Sequence, residues 1–69
     1  MDNKRYQGKV KFFNDVKGYG FIKLDSGREV FVHATKLKNG IETLESDQNV
    51  TFECVDGKKG IEAHHVEII

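Results

Sequence analysis

Lys17-Gly18-Tyr19-Gly20-Phe21-Ile22, followed closely by Val30-Phe31-Val32-His33, is the stretch that decides the fold. Side chains on a strand point alternately to opposite faces. Read as strands, the first segment places Tyr19 and Phe21 on one face, with Gly20 and Ile22 on the other. The second places Phe31 and His33 on one face, with Val30 and Val32 opposite. A small barrel needs one apolar inner face, and Ile22, Val30 and Val32 supply it. The rings are left pointing toward water, and a cluster of flat apolar groups on neighbouring strands marks a binding surface. Nucleic-acid bases suit such a surface, since every base offers a π-face worth roughly 1–3 kcal/mol per stack. The pattern therefore points to single-stranded nucleic acid.

Working outward, Lys9 to Asn14 reads as a first strand, and the pair Phe12-Phe13 breaks its alternation, so a bulge or a strong twist is expected there. Asp15-Val16-Lys17-Gly18 is a turn and Tyr19 to Leu24 the second strand. Asp25-Ser26-Gly27-Arg28 is a hairpin signal leading into Glu29 to His33. A long connection from Ala34 to Asp47 holds a helical turn at Thr35–Leu37 and a turn at Asn39-Gly40. Gln48 to Val55 reads as a fourth strand, Asp56 to Gly60 as a turn, and Ile61 to Ile68 as a fifth strand. Five short strands without a long helix predict an all-β fold, a closed or nearly closed five-stranded antiparallel barrel. The expected core is Val10, Ile22, Val30, Val32, Leu37, Leu44, Val50, Phe52 and Val66, with Ala63 as an addition.

The 69 residues are read as one domain, near the lower size limit for folding without a disulfide or metal. The one cysteine, Cys54, has no intramolecular partner and reads as a small, partly buried apolar residue, a pattern that suits a reducing cytoplasm. No stretch approaches membrane-spanning length, and no signal-peptide core follows the charged start. The formal net charge is zero, but its distribution is uneven. Residues 1–23 hold six basic and two acidic residues, net +4, and the remainder holds five and nine, net −4. The basic part is the one holding Phe12, Tyr19 and Phe21, so a cationic face on a neutral molecule is expected.

From Gly8 to Val66 the chain resembles the bacterial cold-shock protein family. Gly8-Lys9-Val10-Lys11-Phe12-Phe13-Asn14 is similar to the family's first strand, Lys17 to Ile22 to its first ribonucleoprotein motif, and Val30 to His33 to its second. The resemblance implies a five-stranded antiparallel barrel of the oligonucleotide-binding type that binds single-stranded RNA and DNA with little sequence preference, and a role as an RNA chaperone. It also implies roles for residues. Phe12, Tyr19, Phe21, Phe31 and His33 match stacking positions, and Lys11, Lys17 and Lys59 match cationic ones. Phe13, Asn14 and Glu29 match positions near the bound strand, although strand curvature is an alternative that tucks Phe13 inward. Three departures are notable. Phe12 replaces the usual tryptophan, Ala34 replaces an aromatic after the motif histidine, and Ile41 stands where the long loop usually carries an aromatic. Two lost platforms, at roughly 1–3 kcal/mol each, predict a shorter or weaker site than the family norm.

Other readings fare less well. The Lys-Gly-Tyr-Gly-Phe segment also matches the core motif of an RRM, but that fold needs two helices and the opposite motif order. Gly18 and Gly20 are followed by no phosphate-loop lysine and no helix. His64 and His65 are adjacent on a strand, so they face opposite ways, and no CxxC or HxxxH spacing supports a metal. No clustered carboxylates or nucleophile arrangement suggests an enzyme, and no cofactor is expected. The competing class is an SH3-like interaction barrel holding a proline-rich peptide, which the interleaved Lys11 and Lys17 disfavour. A monomer is the default for so small a barrel.

Overall fold

A computed structural model describes residues 4–38, 40–58 and 60–69. Five strands follow in order: β1 (Arg5–Asn14), β2 (Tyr19–Leu24), β3 (Glu29–His33), β4 (Asn49–Gly57) and β5 (Gly60–Ile68). A 3-10 turn, Ala34–Lys36, follows β3. The sheet closes into a barrel in the order β1-β2-β3-β5-β4, with β4 returning to β1. β2 and β3 match their expected bounds, whereas β1 begins four residues earlier than Lys9 and β4 runs on to Gly57.

Four of the five pairings are antiparallel, and the fifth, β3 with β5, is parallel. That closure requires a long connection, and the chain between them carries both the 34–48 segment and β4. β1 is the strand that lets the sheet curl. Its first half pairs with β4 and its second half with β2, and both pairings overlap at Gly8 and Lys9. Gly8 is buried there, and a Cβ on it would press against the Lys23 carbonyl and the Ile22 side chain.

The interior follows from the alternation. Val10, Ile22, Val30, Val32, Leu44, Val50, Phe52, Ala63 and Val66 form one buried cluster. Leu37 is corrected from the expected core: it is half-buried, packing on the cluster from outside, where its backbone bridges Val66 in the parallel sense. Ile41 likewise packs against the core. Cys54 is half-buried beside Leu24 and Ile61, and burial pushes its thiol above the ordinary range despite the opposing charge of Arg28. The Asn39-Gly40 turn expectation and Lys59 fall partly or wholly outside the described residues.

The bulge in β1 lies between Val10 and Phe12, one position earlier than the Phe12-Phe13 pair suggested. Val10 opposes Ile22, then Phe12 opposes Phe21, so Lys11 is the extra residue. The backbone of Val10 turns to the end of the long connection, where its N–H donates to the Gln48 carbonyl at 2.9 Å and its carbonyl accepts from Asp47 N–H at 2.7 Å. Beyond the bulge, Phe13 opposes Gly20 on the inward side. A Cβ on Gly20 would collide with the Phe12 carbonyl and the Phe13 backbone and ring. Gly20→Ala is therefore expected to destabilise the fold by about 1–3 kcal/mol, the usual cost of overpacking. Urea unfolding measures this, and an unchanged midpoint would contradict the tight approach described here.

Candidate nucleic-acid interface

The registers of β1, β2, β3 and β5 lay the outward side chains in three rows. Asn14, Tyr19 and His33 form one. Phe12, Phe21, Phe31 and Glu62 form the next. Lys23 lies between Lys9 and Glu29 in the third. The bulge determines the middle row, since without it Lys11 rather than Phe12 would oppose Phe21.

The four rings make a continuous surface. Phe12 lies 5.6 Å from Phe21 and 6.5 Å from Tyr19 between centroids, while Phe31 lies 5.8 Å from Phe21 and 5.9 Å from Tyr19. Tyr19 and Phe31 are stacked at 23°, and the other pairs are tilted or edge-on. Such contacts support each ring laterally while leaving faces open to solvent. Phe12 is 39% exposed, and Tyr19, Phe21 and Phe31 are half-buried on this outer side.

His33 borders the rings and is itself fixed. Its Nδ1 accepts from the Thr35 backbone N–H at 3.2 Å and lies 2.9 Å from the Thr35 hydroxyl, capping the 3-10 turn. With Nδ1 accepting, the proton of the neutral ring sits on Nε2, which leaves that nitrogen as a donor. Asn14 has a role in the turn beside it. Its side-chain oxygen accepts from Val16 N–H and Lys17 N–H, both at 3.0 Å, and its carbonyl accepts from Gly18 N–H at 2.7 Å. Gly18 closes the turn at φ 77°, a conformation glycine takes without strain, and its carbonyl accepts from Ala34 N–H. Asn14 thus shapes the loop that carries exposed Lys17.

Cations flank the rings on two sides. Lys17 stands at the loop, and Lys9, Lys11 and Lys23 stand beyond the aromatic row. Lys11 Nζ donates to Glu29 Oε2 at 2.7 Å, with side chains 51% and 38% exposed. An exposed pair of this kind is worth about 0–1 kcal/mol, so a phosphate competes readily with Glu29 for the ammonium. Of the residues expected from sequence, the structure gathers Lys11, Phe12, Asn14, Lys17, Tyr19, Phe21, Glu29, Phe31 and His33 on one side. Phe13 is set apart, half-buried against the core over Gly20. Lys59 lies outside the described residues. Ala34 is half-buried near Gly18 and Ile41 packs inward, so neither displays a ring to this surface.

Three residues on this face escaped the sequence reading. Lys9 and Lys23 follow from the same period-two alternation as Phe21, so their signal was present. Glu62 had no local signal, since only the β3–β5 register brings it beside Phe31. Among the described residues, no group of three or more His, Cys, Asp or Glu is placed to hold a metal ion.

Comparison with known proteins agrees with this geometry. The model of the 'Cold-shock' DNA-binding domain matches residues 6–69. The chain belongs to the cold-shock domain family. It is 51% identical over 61 residues to cold shock protein CspB of Bacillus caldolyticus, covering 87% of this chain and 92% of that one. It is 48% identical over 64 residues to a cold shock-like protein of Thermotoga maritima, covering 91% and 97%. With the major cold shock protein CspA of Pseudomonas aeruginosa it shares 41% identity over 68 residues, 97% and 99% of the two chains. The fold is similar to the drosophila Unr CSD456 structure, with a TM-score of 0.78 at 20% identity, over 97% of this chain and 27% of that one. The family assignment displaces the SH3-like alternative.

In this cold-shock domain Asn14→Ala removes both side-chain hydrogen bonds of the 14–18 turn. The expected loss is about 0.5–1.5 kcal/mol of stability, together with faster amide exchange at Val16 and Lys17. Unchanged exchange at those two amides would show that the turn does not depend on Asn14.

Proposed function

We propose that the protein binds single-stranded RNA and DNA by stacking bases on Phe12, Tyr19, Phe21 and Phe31, with His33 at the border, and acts as an RNA chaperone. The observation that carries this reading is the outward four-ring surface, with Lys9, Lys11, Lys17 and Lys23 along its borders. Lys11 and Lys17, and with them Lys9, Lys23 and Lys59, attract the phosphates. No bond is made or broken in this mechanism. A base held on a ring is withheld from its partner in a duplex, so binding shifts RNA from paired toward open strands. Few side chains on the aromatic rows suit base edges, which favours affinity with little sequence readout over most of the surface.

The domain is taken as one unit spanning the chain, acting as a monomer in the cytoplasm. No helix among the described residues is long and apolar enough to cross a membrane. The missing rings at Ala34 and Ile41 shorten the platform, so a smaller footprint than that of a fully aromatic surface is expected.

Titration with oligothymidine and oligouridine across a salt series tests this. Three or four phosphate contacts give a slope of log K against log salt of about −2 to −3 for a single strand. Phe21→Ala, whose side chain lies on the outer face, should keep the fold and lower affinity roughly 5- to 150-fold. Affinity equal to the parent protein in a folded Phe21→Ala variant would remove the proposed platform.

A further inference from the structure

We propose that Glu62 makes the Phe31 end of this surface a subsite selective for guanine, so that one base is read while the others are stacked indifferently. The inference rests on the nucleic-acid reading above and adds specificity to it. In the parallel pairing, Phe31 partners Glu62 and Val32 partners Ala63. Val32 and Ala63 are both fully buried, so alternation turns Phe31 and Glu62 outward together. Neighbouring strands lie about 4.8 Å apart, which sets Glu62 next to Phe31 in the row. Its carboxylate leans over Gly57 of β4 and shares the open hollow with the ring. Glu62 thereby ends the row begun by Phe12, Phe21 and Phe31.

Phe31 and Glu62 line one open hollow of about 640 Å³, together with Asp56, Gly57 and Lys58. The Glu62 side chain is 28% exposed and is held on both sides. Its Oε1 lies 3.3 Å from His64 Nε2. Its other oxygen occupies the space that a Cβ on Gly57 would fill. The titratable and charged groups near it among the described residues are His64 on its own strand and, lining the same hollow, Asp56 and Lys58.

An ionised carboxylate only accepts hydrogen bonds. A base stacked on Phe31 with its edge toward β5 meets that acceptor. Guanine presents adjacent N1–H and N2–H donors, which match two carboxylate oxygens. Cytosine and adenine present one amino group, and Glu or Asp accepting from such a donor is a recognised base contact. Uracil and thymine present a single N3–H between two carbonyl oxygens, which the carboxylate repels. The geometry therefore ranks guanine first and uracil last at this one position. The same negative charge opposes phosphate whatever the base, and Lys58 on the hollow's rim partly offsets it.

These two effects give Glu62→Gln opposite signs on different ligands. The probes are a short oligouridine and the same oligomer with a single guanosine moved through every position, at fixed moderate salt. The parent protein should prefer one guanosine register by roughly 5- to 150-fold, the range of a bidentate base contact. In Glu62→Gln, affinity for that oligomer should fall while affinity for oligouridine rises, collapsing the ratio. Equal gains on both ligands would show a bulk charge effect and overturn the proposal. So would a parent protein that binds every register alike, a result that needs no variant. If the folded parent protein bound none of the oligomers, the nucleic-acid reading would itself fail, which is a distinct outcome.

Discussion

At Lys11, β1 carries one residue more than the strand beside it, and the binding surface depends on that mismatch. Before the bulge, Val10 faces the core opposite Ile22. After it, the faces exchange, so that Phe12 turns outward opposite Phe21 and Phe13 turns inward opposite Gly20. A regular strand would have placed a lysine in the aromatic row and buried Phe12 over Gly20. The bulge is held from the far side by the pairing of Val10 with the 47–48 backbone. The long connection is thus tied to the strand that aims the first ring.

The barrel separates stability from recognition by face. Its interior is aliphatic apart from Phe52, and each of these side chains is nearly or wholly shielded from water. Deleting one would cost several kcal/mol, about 2–5 for a large aliphatic reduced to alanine. The outer rings touch one another laterally and contribute less, because one face of each remains wet. That arrangement keeps the rings rigid before any ligand arrives, so little conformational entropy remains to be lost on stacking. The cations follow the same division. Lys9, Lys11, Lys17 and Lys23 border the rings, whereas Glu62 and Asp56 lie at the β5 end. A molecule of zero net charge thereby carries a cationic border and an acidic terminus on one face.

The alternation in β2 and β3 was legible because the two faces differ sharply there, with rings and charged groups outward and aliphatics or glycine inward. Eight of the expected core positions, with Ala63, are buried for the same reason. Leu37 misled because it is apolar in an irregular segment, where period two gives no direction; it packs on the core without entering it. The bulge was placed one residue late, since Phe12-Phe13 marks where the pattern breaks and not where the extra residue sits. Phe13 shows the limit of a motif match, which brings an aromatic to the right strand without telling which face it occupies. The parallel closure was not legible at all. It joins residues far apart in sequence, and no local signal in Ile61-Glu62-Ala63 announces that β5 runs beside β3. Glu62 was missed with it.

The central claim is that bases, and not phosphates alone, engage the rings. The most direct measurement compares oligothymidine with an abasic oligomer of equal length and charge, at moderate salt, following the fluorescence of Tyr19 in a Tyr6→Phe background. Stacking predicts quenching by oligothymidine and little binding or quenching by the abasic strand. Equal affinity for both, with Tyr19 emission unchanged, would show that the lysines alone hold the strand and that the aromatic surface serves another purpose.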